Sequence, residues 1–175
     1  MNALFLPGAS NRNRQWIHAF AEQLGSLFDV RVVCEYQSWD QVGAHPDELI
    51  ELPRITSQLK DLPTPYVVVA KSVGTYFALR LIRQGVLQPT RCVFLGAALG
   101  LLQRAGDADE LVSANSVPTL ILQNRHDPVA SFTAVQSYLA SRKLNNYRAV
   151  ELPSETHDYI QYDLMQPLIQ DFLAS

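Results

Sequence analysis

Three side chains in this 175-residue chain have the types and the order for nucleophilic catalysis: Ser72, Asp127 and His157. A serine hydroxyl is a weak nucleophile until a base takes its proton. Histidine supplies that base at neutral pH, and a carboxylate on its other ring nitrogen fixes the tautomer. Each of the three follows a strand-like run. Ser72 comes after Tyr66-Val67-Val68-Val69-Ala70, Asp127 lies in Gln123-Asn124-Arg125-His126-Asp127-Pro128, and His157 lies in Pro153-Ser154-Glu155-Thr156-His157-Asp158. Taken singly, each has a plainer account: Ser72 as a helix N-cap, Asp127 as an Asx turn or an ion pair with Arg125, His157 as a loop residue before the last helix. His126 and Asp158 are rival assignments, set aside because each shares a loop with the partner it would need. His18 falls in the first helix and His45 in a polar loop, which suits structural or solvent roles.

The elements that must position these residues are legible in the hydrophobic pattern. Strands are expected at Asn2–Leu6, Val30–Tyr36, Tyr66–Ala70, Arg91–Leu95, Val117–Gln123 and Arg148–Leu152, with a loop at Gln37–Pro46 and a longer connection at Gly96–Asn115. The first helix opens at Asn11, carries Trp16, Phe20 and Leu24 on one face, and ends at Gly25. A second starts near Leu52 with Pro53 in its first turn and Ile55, Leu59 and Leu62 on its buried side. A third runs from Val73 to Gln84 and stops at Gly85. Ser131 caps a fourth carrying Phe132, Val135 and Leu139, and the last aligns Leu164, Leu168 and Phe172, with Pro167 near its start or at a kink. This alternation predicts an α/β fold, a three-layer αβα doubly wound arrangement around a mainly parallel six-stranded sheet. In such sheets ligands sit at the carboxyl ends of the strands, where all three candidates fall.

Composition narrows the class further. A hydrophobic content of 47% over 175 residues suits a single domain, 1–175, with one substantial core. A net charge of −3 provides no basic field for nucleic acid. Cys34 and Cys92 lie inside apolar runs without metal-type spacing, as buried thiols in a reducing compartment do. The start of the chain has no basic segment followed by a long apolar one, and no run is long enough to span a bilayer, so a cytoplasmic location is expected.

The turn Ala70-Lys71-Ser72-Val73-Gly74 resembles the Gly-x-Ser-x-Gly nucleophile turn of the alpha/beta hydrolase family, with alanine at the first position. The chain order Ser, Asp, His is also that of the family, and Asn124-Arg125-His126-Asp127-Pro128-Val129 is similar to its acid loop. The resemblance spans nearly the whole chain and implies a minimal alpha/beta hydrolase fold with Ser72, Asp127 and His157 as catalytic residues. It also implies an oxyanion hole from two amides. Val73 supplies one, and Ala9 supplies the other from Leu6-Pro7-Gly8-Ala9-Ser10, which looks like the family's His-Gly-x segment; Ser10 is the fallback. Lys71 reads as a side chain at the cleft rim.

The expected substrate is a small carboxylic ester or thioester. Ser10, Trp39, Leu99 and Phe132 are candidates for contacting it, and Tyr36, Tyr159 and the Leu99–Leu102 segment are further candidate walls. No metal or organic cofactor is required by this chemistry, and no nucleic-acid or membrane partner is expected; a monomer or small homo-oligomer fits the modest charge. Two alternatives share the same residues: a non-catalytic binding protein of this fold, and a different acyl-transfer enzyme such as an amidase.

Overall fold

A computed structural model describes residues 1–41, 45–104, 112 and 115–175. Six strands form one sheet: β1 (Asn2–Leu6), β2 (Val30–Val33), β3 (Tyr66–Lys71), β4 (Arg91–Leu95), β5 (Thr119–Asn124) and β6 (Tyr147–Leu152). Their spatial order is β2-β1-β3-β4-β5-β6, and every neighbouring pair is parallel. The described helices are α1 (Arg12–Gln23), α2 (Glu48–Gln58), α3 (Val73–Arg83), α4 (Leu99–Arg104), α5 (Phe132–Ser141) and α6 (Tyr162–Ala174). α1 and α6 pack together on one face of the sheet, and α3 packs with α2 and α4 on the other.

Burial follows position in the sheet. All residues of β3 and β5 are buried, because both faces are covered by helices, whereas the edge strands β2 and β6 are only partly buried. The direction of winding reverses between β1 and β3, since β1 is followed in space by β2 on one side and β3 on the other. Chain segments leaving the carboxyl ends of β1 and β3 diverge there and open a crevice. The stretch after β1 lies on one side of it, and the turn holding Ser72, followed by the loops after β5 and β6, lies on the other.

Most element ends agree with the sequence pattern, and the exceptions have local causes. β2 stops at Val33 instead of Tyr36; Cys34 still donates to Phe5 O at 3.0 Å, and the chain then turns into a 3-10 helix at Gln37–Asp40. α2 starts one turn earlier than Leu52, because the Asp47 carboxylate caps it by accepting from the Leu49 amide at 2.8 Å. Pro53 consequently lies inside the helix, and the carbonyl it leaves without a donor belongs to exposed Leu49. The last helix buries Phe172 as expected, but Met165 and Ile169 are buried in place of Leu164, which is 46% exposed, and Leu168, which is partly buried. α3 ends as expected at Gly85, where Val86 donates to Leu81 O and Gly85, at φ 72°, donates to Ile82 O. Parts of the expected loops, at 42–44, 105–111 and 113–114, lie outside the described residues.

Candidate active site

Ser72 sits between β3 and α3 at φ 53° and ψ −121°. A side-chain-bearing residue at such angles costs about 1–3 kcal/mol and persists only when its surroundings impose it. The constraints are visible. The Ser72 amide donates to Leu95 O at 3.0 Å, and the Ser72 carbonyl accepts from the Thr75 amide at 2.9 Å and the Thr75 hydroxyl at 2.7 Å. Gly74 completes the turn: a Cβ there would lie 2.5 Å from Leu6 O and 2.7 Å from Pro7 O. The start of α3 is therefore pressed against the end of β1, with the Val73 amide in the first turn and free of any intrahelical acceptor.

Asp127 and His157 meet at the ends of β5 and β6. His157 Nδ1 is 2.7 Å from Asp127 Oδ2. The same carboxylate accepts from the Tyr159 hydroxyl at 2.8 Å and, on Oδ1, from the Val129 amide at 2.8 Å. Burial alone would push this carboxyl up, but the hydrogen bonds from His157, Val129 and Tyr159 outweigh it and hold the group below its ordinary range. An ionised carboxylate only accepts, so Nδ1 carries a proton, and in the neutral form of the ring Nε2 is the acceptor. Nε2 is buried and makes no hydrogen bond. The imidazole lies directly on Gly96, at φ 56°, where an added Cβ would come within 2.7 Å of His157 Cε1 and of Tyr159. Gly96 adjoins Leu95, whose carbonyl binds the Ser72 amide, so the ring stands over the strand end next to the serine.

The rival groups lie elsewhere. His126 and Asp158 are exposed, and His18 is exposed and 2.9 Å from Glu35.

The stretch Pro7–Ser10 is fixed from outside. The Tyr36 hydroxyl donates to Pro7 O at 2.9 Å and the Trp39 indole donates to Ala9 O at 3.0 Å. The Asn13 side chain donates to Ser10 O at 2.9 Å and packs against Gly8 so closely that a Cβ there would be 2.9 Å from its amide. With the flanking carbonyls held, the Gly8–Ala9 peptide between them has a set orientation. Trp39 itself is anchored by Glu51, a buried carboxylate of α2 that accepts from the Gln37 and Ser38 amides, each at 3.1 Å.

Several expected roles change. Trp39 and Tyr36 are buried with their polar atoms engaged by the β1 loop, so they brace that loop instead of lining a cleft. Tyr159 is fully buried and binds the acid. Lys71 is 5% exposed, not at a rim. Its Nζ lies 2.8 Å from Asn13 Oδ1 and 4.5 Å from the centre of the Trp16 ring. Ser10 is exposed, and Phe132 is half-buried, its amide donating to Arg125 O beside the acid loop. Leu99 lines an open groove of about 400 Å³ with Gly100, Val129, Ala130, Ala134 and Tyr138, between α4 and α5.

Sequence reasoning missed the residues that tie the loops together. Gln123 accepts from the Ala97 amide and donates to Ala130 O, and Asn124 donates to Thr156 O at 2.7 Å. Two consecutive amides ending an otherwise apolar, fully buried strand were the available signal.

No protein-family model matches the chain, and no curated protein matches it. Solved structures do. The chain is similar to a structure of the metagenome-derived lipolytic enzymes LipS and LipT, at 12% identity over 98% of this chain and 93% of that one, with a TM-score of 0.78. It is similar to an esterase of Pyrococcus furiosus, at 15% identity over 99% and 82% of the two chains, with a TM-score of 0.77. It is also similar to Est1E of Butyrivibrio proteoclasticus, solved with ferulic acid bound, at 13% identity over 99% and 89%, with a TM-score of 0.73. At these identities the likeness is one of fold.

Proposed function

We propose that this chain, which has the alpha/beta hydrolase fold, is a serine hydrolase that cleaves small carboxylic esters or thioesters through an acyl-enzyme. The observation carrying this reading is the Asp127–His157 pair at 2.7 Å, whose imidazole lies on Gly96 just after Leu95, the residue whose carbonyl binds the amide of Ser72, itself held at φ 53°. A strained serine, an imidazole whose Nε2 makes no hydrogen bond and a carboxylate held on its Nδ1 have little structural use in one place. Together they are the parts of acyl transfer. The lipolytic and esterase activities named for the structural neighbours support an ester over other acyl groups.

In the proposed reaction His157 Nε2 takes the Ser72 proton as Oγ attacks the substrate carbonyl carbon. Asp127 holds the ring and stabilises its charged form. The oxyanion is received by the amides of Val73, at the start of α3, and Ala9, on the braced β1 loop. His157 then returns the proton to the leaving oxygen or sulfur, releasing the alcohol or thiol. Water, activated by the same imidazole, frees the acid and regenerates Ser72. The groove of Leu99, Val129 and Ala130 adjoins the acid loop and fits a small apolar acyl or alkyl group. Among the described residues no helix is long and apolar enough to cross a membrane. The buried free thiols Cys34 and Cys92 fit the cytoplasmic setting we assign.

The test is hydrolysis of p-nitrophenyl esters of increasing acyl length by wild type and Ser72→Ala. The expected result is turnover strongest for short chains and abolished in Ser72→Ala. Equal turnover in both proteins would remove Ser72 from the reaction.

A further inference from the structure

Lys71 has no part in the mechanism above, yet it directly precedes the nucleophile and is buried. A buried ammonium without a carboxylate partner is costly, so its retention calls for a use. Its surroundings provide one. Nζ donates to Asn13 Oδ1 at 2.8 Å, and the same Asn13 side chain donates through Nδ2 to Ser10 O. The two contacts have opposite polarity, which fixes the amide orientation. On its other side the ammonium lies over Trp16, whose indole donates to Tyr159 O at 2.9 Å. One cation thus touches both the residue that grips the β1 loop and the residue that grips the segment following His157.

We propose that Lys71, in its charged form, is a positioning residue for the reaction, locking Asn13 and through it the loop that presents the Ala9 amide to the oxyanion. This rests on the serine-hydrolase reading. Asn13 and Trp16 of α1, which contact Lys71, are neutral; the charges of Asp158 and Asp127 act on it without contact and favour its charged form. Burial nevertheless lowers its pKa from the ordinary 10.5 to about 8. As pH rises through that value the ammonium loses its charge, and its bond to Asn13 weakens from a charge-assisted to a neutral one.

The experiment measures kcat and KM for p-nitrophenyl acetate from pH 6 to 10 in wild type, Ser72→Ala, Lys71→Met, Asn13→Ala and the Lys71→Met/Asn13→Ala double variant, with thermal melts to verify folding. Lys71→Met keeps the apolar stem and removes a desolvated charge, which offsets the lost hydrogen bond; Asn13→Ala is the second route should that variant not fold. A misplaced oxyanion donor acts on the transition state, so each single variant should lose roughly 10- to 100-fold in kcat with KM little changed. The double variant should be no worse than the poorer single, since both break one clamp. Wild-type kcat should decline above about pH 8, and Lys71→Met should lack that limb. Wild-type kcat and pH profile in folded Lys71→Met and Asn13→Ala would overturn the proposal. Undiminished activity in Ser72→Ala would instead remove the hydrolase reading on which it stands.

Discussion

The two walls of the crevice are built on different physics. On the side of β5 and β6, hydrogen bonds converge on one buried charge: Asp127 takes His157, Tyr159 and the Val129 amide, which hold its pKa below the ordinary range against burial. On the side of β1, side chains bind backbone: Tyr36, Trp39 and Asn13 hold the carbonyls of Pro7, Ala9 and Ser10. The first arrangement stores a proton acceptor in a defined state. The second sets the direction of a peptide dipole. One wall should therefore answer to charge and the other to shape, with Lys71 and Trp16 connecting them.

Substitutions can break this contrast. Asp127→Asn has the largest expected effect among them, a loss of roughly 10³- to 10⁴-fold in kcat, because an amide no longer enforces Nδ1–H on His157. Steady-state kinetics on folded protein checks it. Trp39→Phe keeps an aromatic ring and removes the donor to Ala9 O; kcat should drop roughly 10-fold with KM unchanged. Were KM to rise alone, Trp39 would be touching substrate after all. Tyr159→Phe strips one hydrogen bond from Asp127 and the acceptor from the Asn124 amide, which should destabilise the fold by about 1–3 kcal/mol in urea denaturation.

The smallest effect is on acid stability. The Asp127 pKa is lowered in the folded state, so the unfolded chain binds its proton more readily. Its contribution is present above the ordinary value of 3.8 and is lost as pH falls through the lower folded value. Asp127→Asn should flatten the wild-type acid-denaturation profile below about pH 4, measured by circular dichroism.

The charged wall was the more legible one in the sequence. Ser72, Asp127 and His157 stand out by residue type, by their order and by each following a strand, and the structure brings Asp127 and His157 together. The shape-dependent wall was harder to read. Trp39 looked like a pocket aromatic, since nothing local signals that a carboxylate fourteen residues away would accept from the Gln37 amide and seat the turn that buries it. Lys71 looked like a rim residue because its burial depends on α1 folding across the end of β3. In α6 only Phe172 of the expected face is fully buried, because its apolar positions, Leu164, Met165, Leu168, Ile169 and Phe172, support two adjacent stripes, and only packing against α1 and the sheet chooses between them.

The central claim is that the charged wall activates Ser72. Intact-mass analysis after incubation with a fluorophosphonate probe tests it most directly, comparing wild type with Ser72→Ala and His157→Ala. The account predicts one adduct in wild type, none in Ser72→Ala and a strongly slowed adduct in His157→Ala. A folded wild type that acquires no adduct would contradict it and leave the crevice as a binding site without catalysis.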